Sequence, residues 1–189
     1  YLNCNGQLWN QIIKEGEKLS KIGITALWLP PAFKGIGGKD EVGYGVYDVY
    51  DLGEFDQKGG IPTKYGTKDQ YLEAVKALKE NKIQVIADIV LNHKAGGDEL
   101  EKFNAIKVDE DDRTVAISDV MEIESYTKFT FDGRQKKYSD FEWNFTCFTG
   151  VDYAEGQETA IFRIINDYGD HWDNIIDDEK GNYDFLMYN

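Results

Sequence analysis

Ile83-Gln84-Val85-Ile86-Ala87-Asp88-Ile89-Val90-Leu91-Asn92-His93 is a β-branched run that holds one carboxylate inside it and ends in an amide and an imidazole. From Ile83 to Leu91 it is too apolar on both faces for a strand with one side in water, which predicts a central parallel strand covered on two sides. Polar groups at the carboxyl end of such a strand are where barrel enzymes keep their chemistry. Asp88 is then expected to be a buried acid in need of partners.

Upstream of that run the chain alternates helix and strand. Leu8, Trp9, Ile12, Ile13 and Leu19 recur at helical spacing up to Ile22, and Gly23 is a natural C-terminal stop. Ile24 to Leu29 reads as a short apolar strand ended by Pro30-Pro31. A second helix is expected from Lys68 to about Glu80, with Tyr71, Leu72, Val75 and Leu78 on one stripe. Helix, strand, helix, strand of this character implies an α/β architecture with parallel pairing, either a barrel or an open doubly wound sheet. The connection from Pro30 to Thr67 is far longer than the usual few residues, and long loops after a strand's carboxyl end tend to be working parts.

Composition narrows the function classes. The 189 residues are 41% apolar and 14% aromatic, enough for a real core. No run of apolar residues is long enough to span a bilayer, and no basic region leads into an apolar one as in a secretory leader, so no membrane partner is expected. Cys4 and Cys147 could pair or stay reduced, which leaves the compartment open. The net charge of −14 is uneven: residues 1–94 carry 12 Lys and 12 acids, residues 95–189 carry 9 basic residues against 23 acids. Strong acidity argues against nucleic acid, whose phosphates need a basic surface, and suits a cation or a neutral polyol. For most of these acids a solvated face is the simpler explanation.

The second half follows different rules. Thr114 to Ile117, Tyr126 to Phe131 and Asn144 to Phe148 are short and β-prone, Phe131-Asp132-Gly133-Arg134 could form a tight hairpin turn, and one helix is expected from about Glu155 to Asp167. An irregular β-rich excursion inserted after the Ile83–Leu91 strand is the expected organisation.

Four separated motifs then carry a specific resemblance: Gly43-Tyr44-Gly45-Val46-Tyr47-Asp48-Val49-Tyr50-Asp51-Leu52-Gly53-Glu54-Phe55, Lys64-Tyr65-Gly66-Thr67, Asp88 to His93, and Gly181-Asn182-Tyr183-Asp184-Phe185-Leu186-Met187-Tyr188. Trp28-Leu29-Pro30-Pro31 and Tyr138-Ser139-Asp140-Phe141-Glu142-Trp143 fit the same pattern. The set resembles the bacterial liquefying-type α-amylases of glycoside hydrolase family 13. The resemblance implies part of a TIM (β/α)8 barrel in residues 1–93, with Ile24–Leu29 as its second strand and Ile83–Leu91 as its third. Residues 94–189 would be the calcium-binding, β-rich insertion called domain B.

The family's nucleophile and acid/base are implied to lie beyond Asn189, so no catalytic carboxylate is assigned here. Retaining hydrolysis needs two carboxyl groups roughly 5 Å apart; Asp48 and Asp51 are better explained by turn capping and solvation. By resemblance, Tyr44 stacks on the glucose of the cleaved subsite and His93 donates to that sugar's 6-hydroxyl. Asn92 and Asp184 match calcium ligands, and Asp173 matches an acid of a neighbouring sodium or second-calcium cluster. Thr149 stands where close relatives carry an acid, which lowers the ligand charge there. The implied activity is retaining endo-hydrolysis of α-1,4 bonds in starch and maltooligosaccharides. A family-13 transglycosylase, or a non-catalytic fragment that binds α-glucan or calcium, is the alternative.

Overall fold

The computed structural model describes residues 4–165 and the backbone of 186–188. They fall into two compact units, residues 4–90 with 132–138, and residues 91–131 with 139–165 and 186–188.

In the first unit, helices α1 (Leu8–Lys21) and α2 (Lys68–Glu80) lie against a parallel pair of strands, β1 (Ala26–Leu29) and β4 (Gln84–Ala87), in register Ala26↔Gln84 to Leu29↔Ala87. Between them runs an antiparallel pair, β2 (Lys34–Gly35) with β3 (Val46–Asp48). Trp9, Ile12, Leu29, Ala74, Leu78 and Ile83 form the core, with Leu27 and Val85 packed on it. Trp9 is fully buried, its ring 5.5 Å from Tyr65 and edge-on to Tyr71 at 5.0 Å. Burying that indole removes more apolar area from water than any other side chain here could, so it anchors α1.

Helix α2 starts where the chain supplies its own cap. The Thr67 hydroxyl accepts from the Gln70 amide, and the Gln70 side chain accepts from the Thr67 N–H at 2.9 Å, closing a capping box. Thr67→Ala should cost about 1 kcal/mol in urea denaturation, with Thr67→Ser close to the parent. A loss confined to a few tenths would assign the helix start to packing instead.

The strand expected over Ile83–Leu91 is shorter. Only Gln84–Ala87 is extended, Ile86 and Ile89 are exposed, and Asp88 is half-buried rather than buried. Two strands make a sheet with one face on the helices, and Trp28 and Ile86, both about half exposed, lie on the other face.

The second unit is a six-stranded sheet in the order β5-β10-β8-β9-β6-β7, formed by β5 (His93–Ala95), β6 (Glu99–Val108), β7 (Met121–Lys128), β8 (Gly150–Val151), β9 (Ile161–Ile165) and β10 (Leu186–Tyr188). The helix expected from Glu155 is absent from the described residues. Ile161, Phe162, Ile164 and Ile165 are β-branched or aromatic, and β9 pairs with both β6 and β8. Asp132–Arg134 is a short 3-10 turn rather than a hairpin turn, and so is Phe145–Cys147. Cys4 and Cys147 are free thiols. No helix among the described residues is long and apolar enough to cross a membrane.

Candidate functional site

In the first unit, the loop from β2 to β3 presents Tyr44 between two closely packed glycines. Gly43 has φ +102°, and a Cβ there would lie 2.6 Å from Pro31; a Cβ on Gly45 would lie 2.8 Å from Ile36. The Glu41 carboxylate accepts from the Gly43 and Gly45 amides at 2.8 and 3.3 Å, and the Tyr65 hydroxyl donates to the Val42 carbonyl at 2.9 Å. The Tyr44 ring is 43% exposed while its hydroxyl donates to Asp88 Oδ2 at 2.8 Å. An aromatic face held open to solvent by its far end is suited to stacking on a flat apolar surface such as a pyranose face. Asp88 therefore positions Tyr44.

Beneath this loop lies a charged network that sequence reasoning missed. Asp48 and Asp51 are buried, not solvated as expected, with relative exposures of 1% and 0%. The expectation of turn capping holds for Asp51, whose Oδ1 accepts from the amides of Gly53, Glu54 and Phe55 at 2.9, 2.9 and 3.2 Å. Gln57 Nε2 donates to Asp48 and Asp51, both at 3.0 Å. Arg134 Nε donates to Asp48 Oδ2 at 2.9 Å with its guanidinium over the Tyr50 ring. Lys34 is fully buried beside Asp51; burial lowers its pKa, and the Asp51 carboxylate opposes the shift. The available signal was Lys34 standing alone in Pro30-Pro31-Ala32-Phe33-Lys34-Gly35, where an unaccompanied lysine in an apolar stretch calls for buried acceptors.

A second cluster joins Glu54 to Lys68 at 2.6 Å, to Lys137, and to the Tyr138 hydroxyl, which donates at 2.8 Å. Hydrogen bonds from Lys137 and then Lys68 hold the Glu54 carboxyl down to about 2, against an ordinary 4.5. Because the folded value is the lower one, the stabilisation is complete above pH 4.5 and is lost as pH falls toward about 2. The gap in thermal midpoint between the parent and Glu54→Gln should be present at neutral pH and narrow through that window. A gap unchanged across it would mean the clasp contributes nothing through charge.

The second unit opens with Asn92, exposed, and His93, half-buried as the first residue of β5. Leu186 of β10 lies in register with His93. The next residue, Lys94, is buried, its ammonium 4.8, 4.9 and 5.2 Å from the ring centres of Phe129, Trp143 and Phe131. Such an aromatic box suits a desolvated cation. Asp173 and Asp184 lie outside the described residues. Asn92 offers the amide oxygen that calcium accepts, but no group of three His, Cys, Asp or Glu side chains suited to a metal forms among the described residues.

Residues 6–162 match the family described as alpha amylase, catalytic domain, and the chain belongs to that family, which is built on the TIM barrel. Its relatives make the class more particular. The chain is 50% identical to the cytoplasmic alpha-amylase of Escherichia coli over 99% of its own length, and 49% identical to the alpha-amylase of Geobacillus stearothermophilus over 100%. These alignments span 38% and 34% of the two relatives, so the chain corresponds to little more than a third of each. Among solved structures, a truncated alternansucrase from Leuconostoc mesenteroides superposes with a TM-score of 0.62 at 27% identity, over 72% of this chain and 13% of that one.

Proposed function

We propose that this chain is the part of an α-amylase that contributes glucan contacts and a cation site, with the catalytic carboxylates supplied by a longer polypeptide. The reaction of that polypeptide is retaining endo-hydrolysis of α-1,4 bonds in starch-like glucans. The observation that carries the reading is 49–50% identity to α-amylases along essentially the whole chain. The Tyr44 loop supports it: an exposed ring, anchored through its hydroxyl, costs little conformational entropy when a sugar docks. His93 is assigned, independently, a hydrogen bond to a sugar hydroxyl.

Calcium is proposed at Asn92 with Asp184, and sodium or a second calcium at Asp173. Support comes from the donor chemistry of Asn92 and from the backbone pairing of Leu186–Tyr188 with His93–Ala95. When bound, calcium would supply a structural cross-link rather than a reacting group. Full-length protein stripped with a chelator should regain thermal midpoint on adding calcium; an unchanged midpoint removes the metal assignment.

The reaction is tested by following maltooligosaccharide cleavage by the full-length protein with proton NMR. The first-formed product should be the α-anomer, as retention requires. A β-anomer, or growth of longer oligosaccharides instead of cleavage, would overturn the reading.

A further inference from the structure

Lys34 sits where a bound cation would sit. Its Nζ lies 2.7 Å from the Gly60 carbonyl, 2.7 Å from Ile61, 3.1 Å from Phe55 and 3.5 Å from Gln57, with Asp51 Oδ2 at 3.4 Å. An ammonium has three N–H donors. More oxygens face it than it has donors, so part of the attraction is between a point charge and inward-turned carbonyl dipoles, the arrangement that strips and holds a monovalent ion. Lys58 has φ +50° and Gly59 φ +85°, the Gln57 and Gly60 backbones close on each other at 3.2 and 3.3 Å, and the Gln57 and Gly60 carbonyls also accept from the Lys34 ammonium.

The same residue sets the base of the Tyr44 loop. The Lys34 amide donates to the Asp51 carbonyl at 2.7 Å, and Lys34 is in register with Asp48 across the β2–β3 pair. One side chain thus ties the 55–61 turn to the strand that leads into the loop.

We propose that the Lys34 ammonium is a built-in monovalent cation that organises the 55–61 turn and, through the β2–β3 pair, positions Tyr44 for glucan. The positioning half rests on the proposed glucan chemistry; the cation half does not. Lys34→Ala empties a chamber lined by four carbonyls and a carboxylate, which free ammonium or potassium can enter. Lys34→Met fills the same chamber with an uncharged chain.

Two readouts on the full-length protein separate the two halves. The thermal midpoint of Lys34→Ala should rise with ammonium or potassium chloride and not with choline chloride at equal ionic strength, while Lys34→Met responds to none of them. If Lys34→Ala does not fold unaided, the refolded yield against ammonium concentration reads the same property. Equal response to choline, or no response to any cation, overturns the cation assignment even if the protein hydrolyses no glucan. For positioning, Lys34→Ala should lower kcat/KM on a blocked maltooligosaccharide by about tenfold or more, much of it restored by ammonium. In a Tyr44→Ala background the same substitution should cost only about twofold, since the two act through one contact. A loss of equal size in both backgrounds would make Lys34 purely structural. A parent protein with no turnover would instead retire the amylase reading and leave the cation result standing.

Discussion

Tyr44→Ala in the full-length protein is expected to lower kcat/KM on a blocked maltooligosaccharide by about 100-fold, the scale of losing one substrate-positioning group. The ring is exposed, its loop is fixed by Glu41 and Tyr65, and its hydroxyl is tied to Asp88. Little rearrangement is therefore needed when a sugar docks. Tyr44→Phe keeps the ring and removes only the bond to Asp88, so its loss should stay below about tenfold, the size of one ordinary hydrogen bond. Steady-state kinetics on both variants, with thermal midpoints alongside, separate the roles. A Tyr44→Ala enzyme within about twofold of the parent would remove Tyr44 from the glucan site.

Arg134→Met should destabilise the first unit by about 3–5 kcal/mol. It leaves Asp48, 1% exposed, without its guanidinium partner. It also frees the Lys137 carbonyl, which accepts from Arg134 Nη1 at 2.8 Å. Adding Asp48→Asn to the same chain removes the stranded charge and should recover part of the loss, because the Tyr50 amide can still donate to the one remaining side-chain oxygen. Urea denaturation of the single and double variants measures both steps. A single variant within about 1 kcal/mol of the parent would show that Asp48 is neutralised some other way.

What the sequence made legible was the part governed by period and by strong local signals. The 3.6-residue stripe gave α1 and α2 nearly to the residue, because Trp9, Ile12 and Leu78 both form the stripe and fill the core. The long sheet of the second unit was not legible, for a physical reason. The inward face of β7 is Ile123, Ser125 and Thr127, two of them polar, while Tyr126 on the other face is exposed. Thr127 tolerates burial by donating to Glu101 at 2.7 Å, a partner many residues away that no local pattern announces. β9 reads as helix as readily as strand because Ile-Phe-Arg-Ile-Ile fits either period over so short a window, and only its pairing with β6 and β8 decides. The site divides the same way. Tyr44 stands out between its glycines, whereas Lys34, Asp51, Gln57, Asp48 and Arg134 are separated along the chain and become one network only in three dimensions.

The most direct test of the central claim, that this chain supplies contacts but not the reacting carboxylates of an α-amylase, is to assay blocked maltooligosaccharide hydrolysis by residues 1–189 and by the full-length protein side by side. The account predicts turnover by the full-length protein and none by residues 1–189. Turnover by residues 1–189, or none by either, would contradict it.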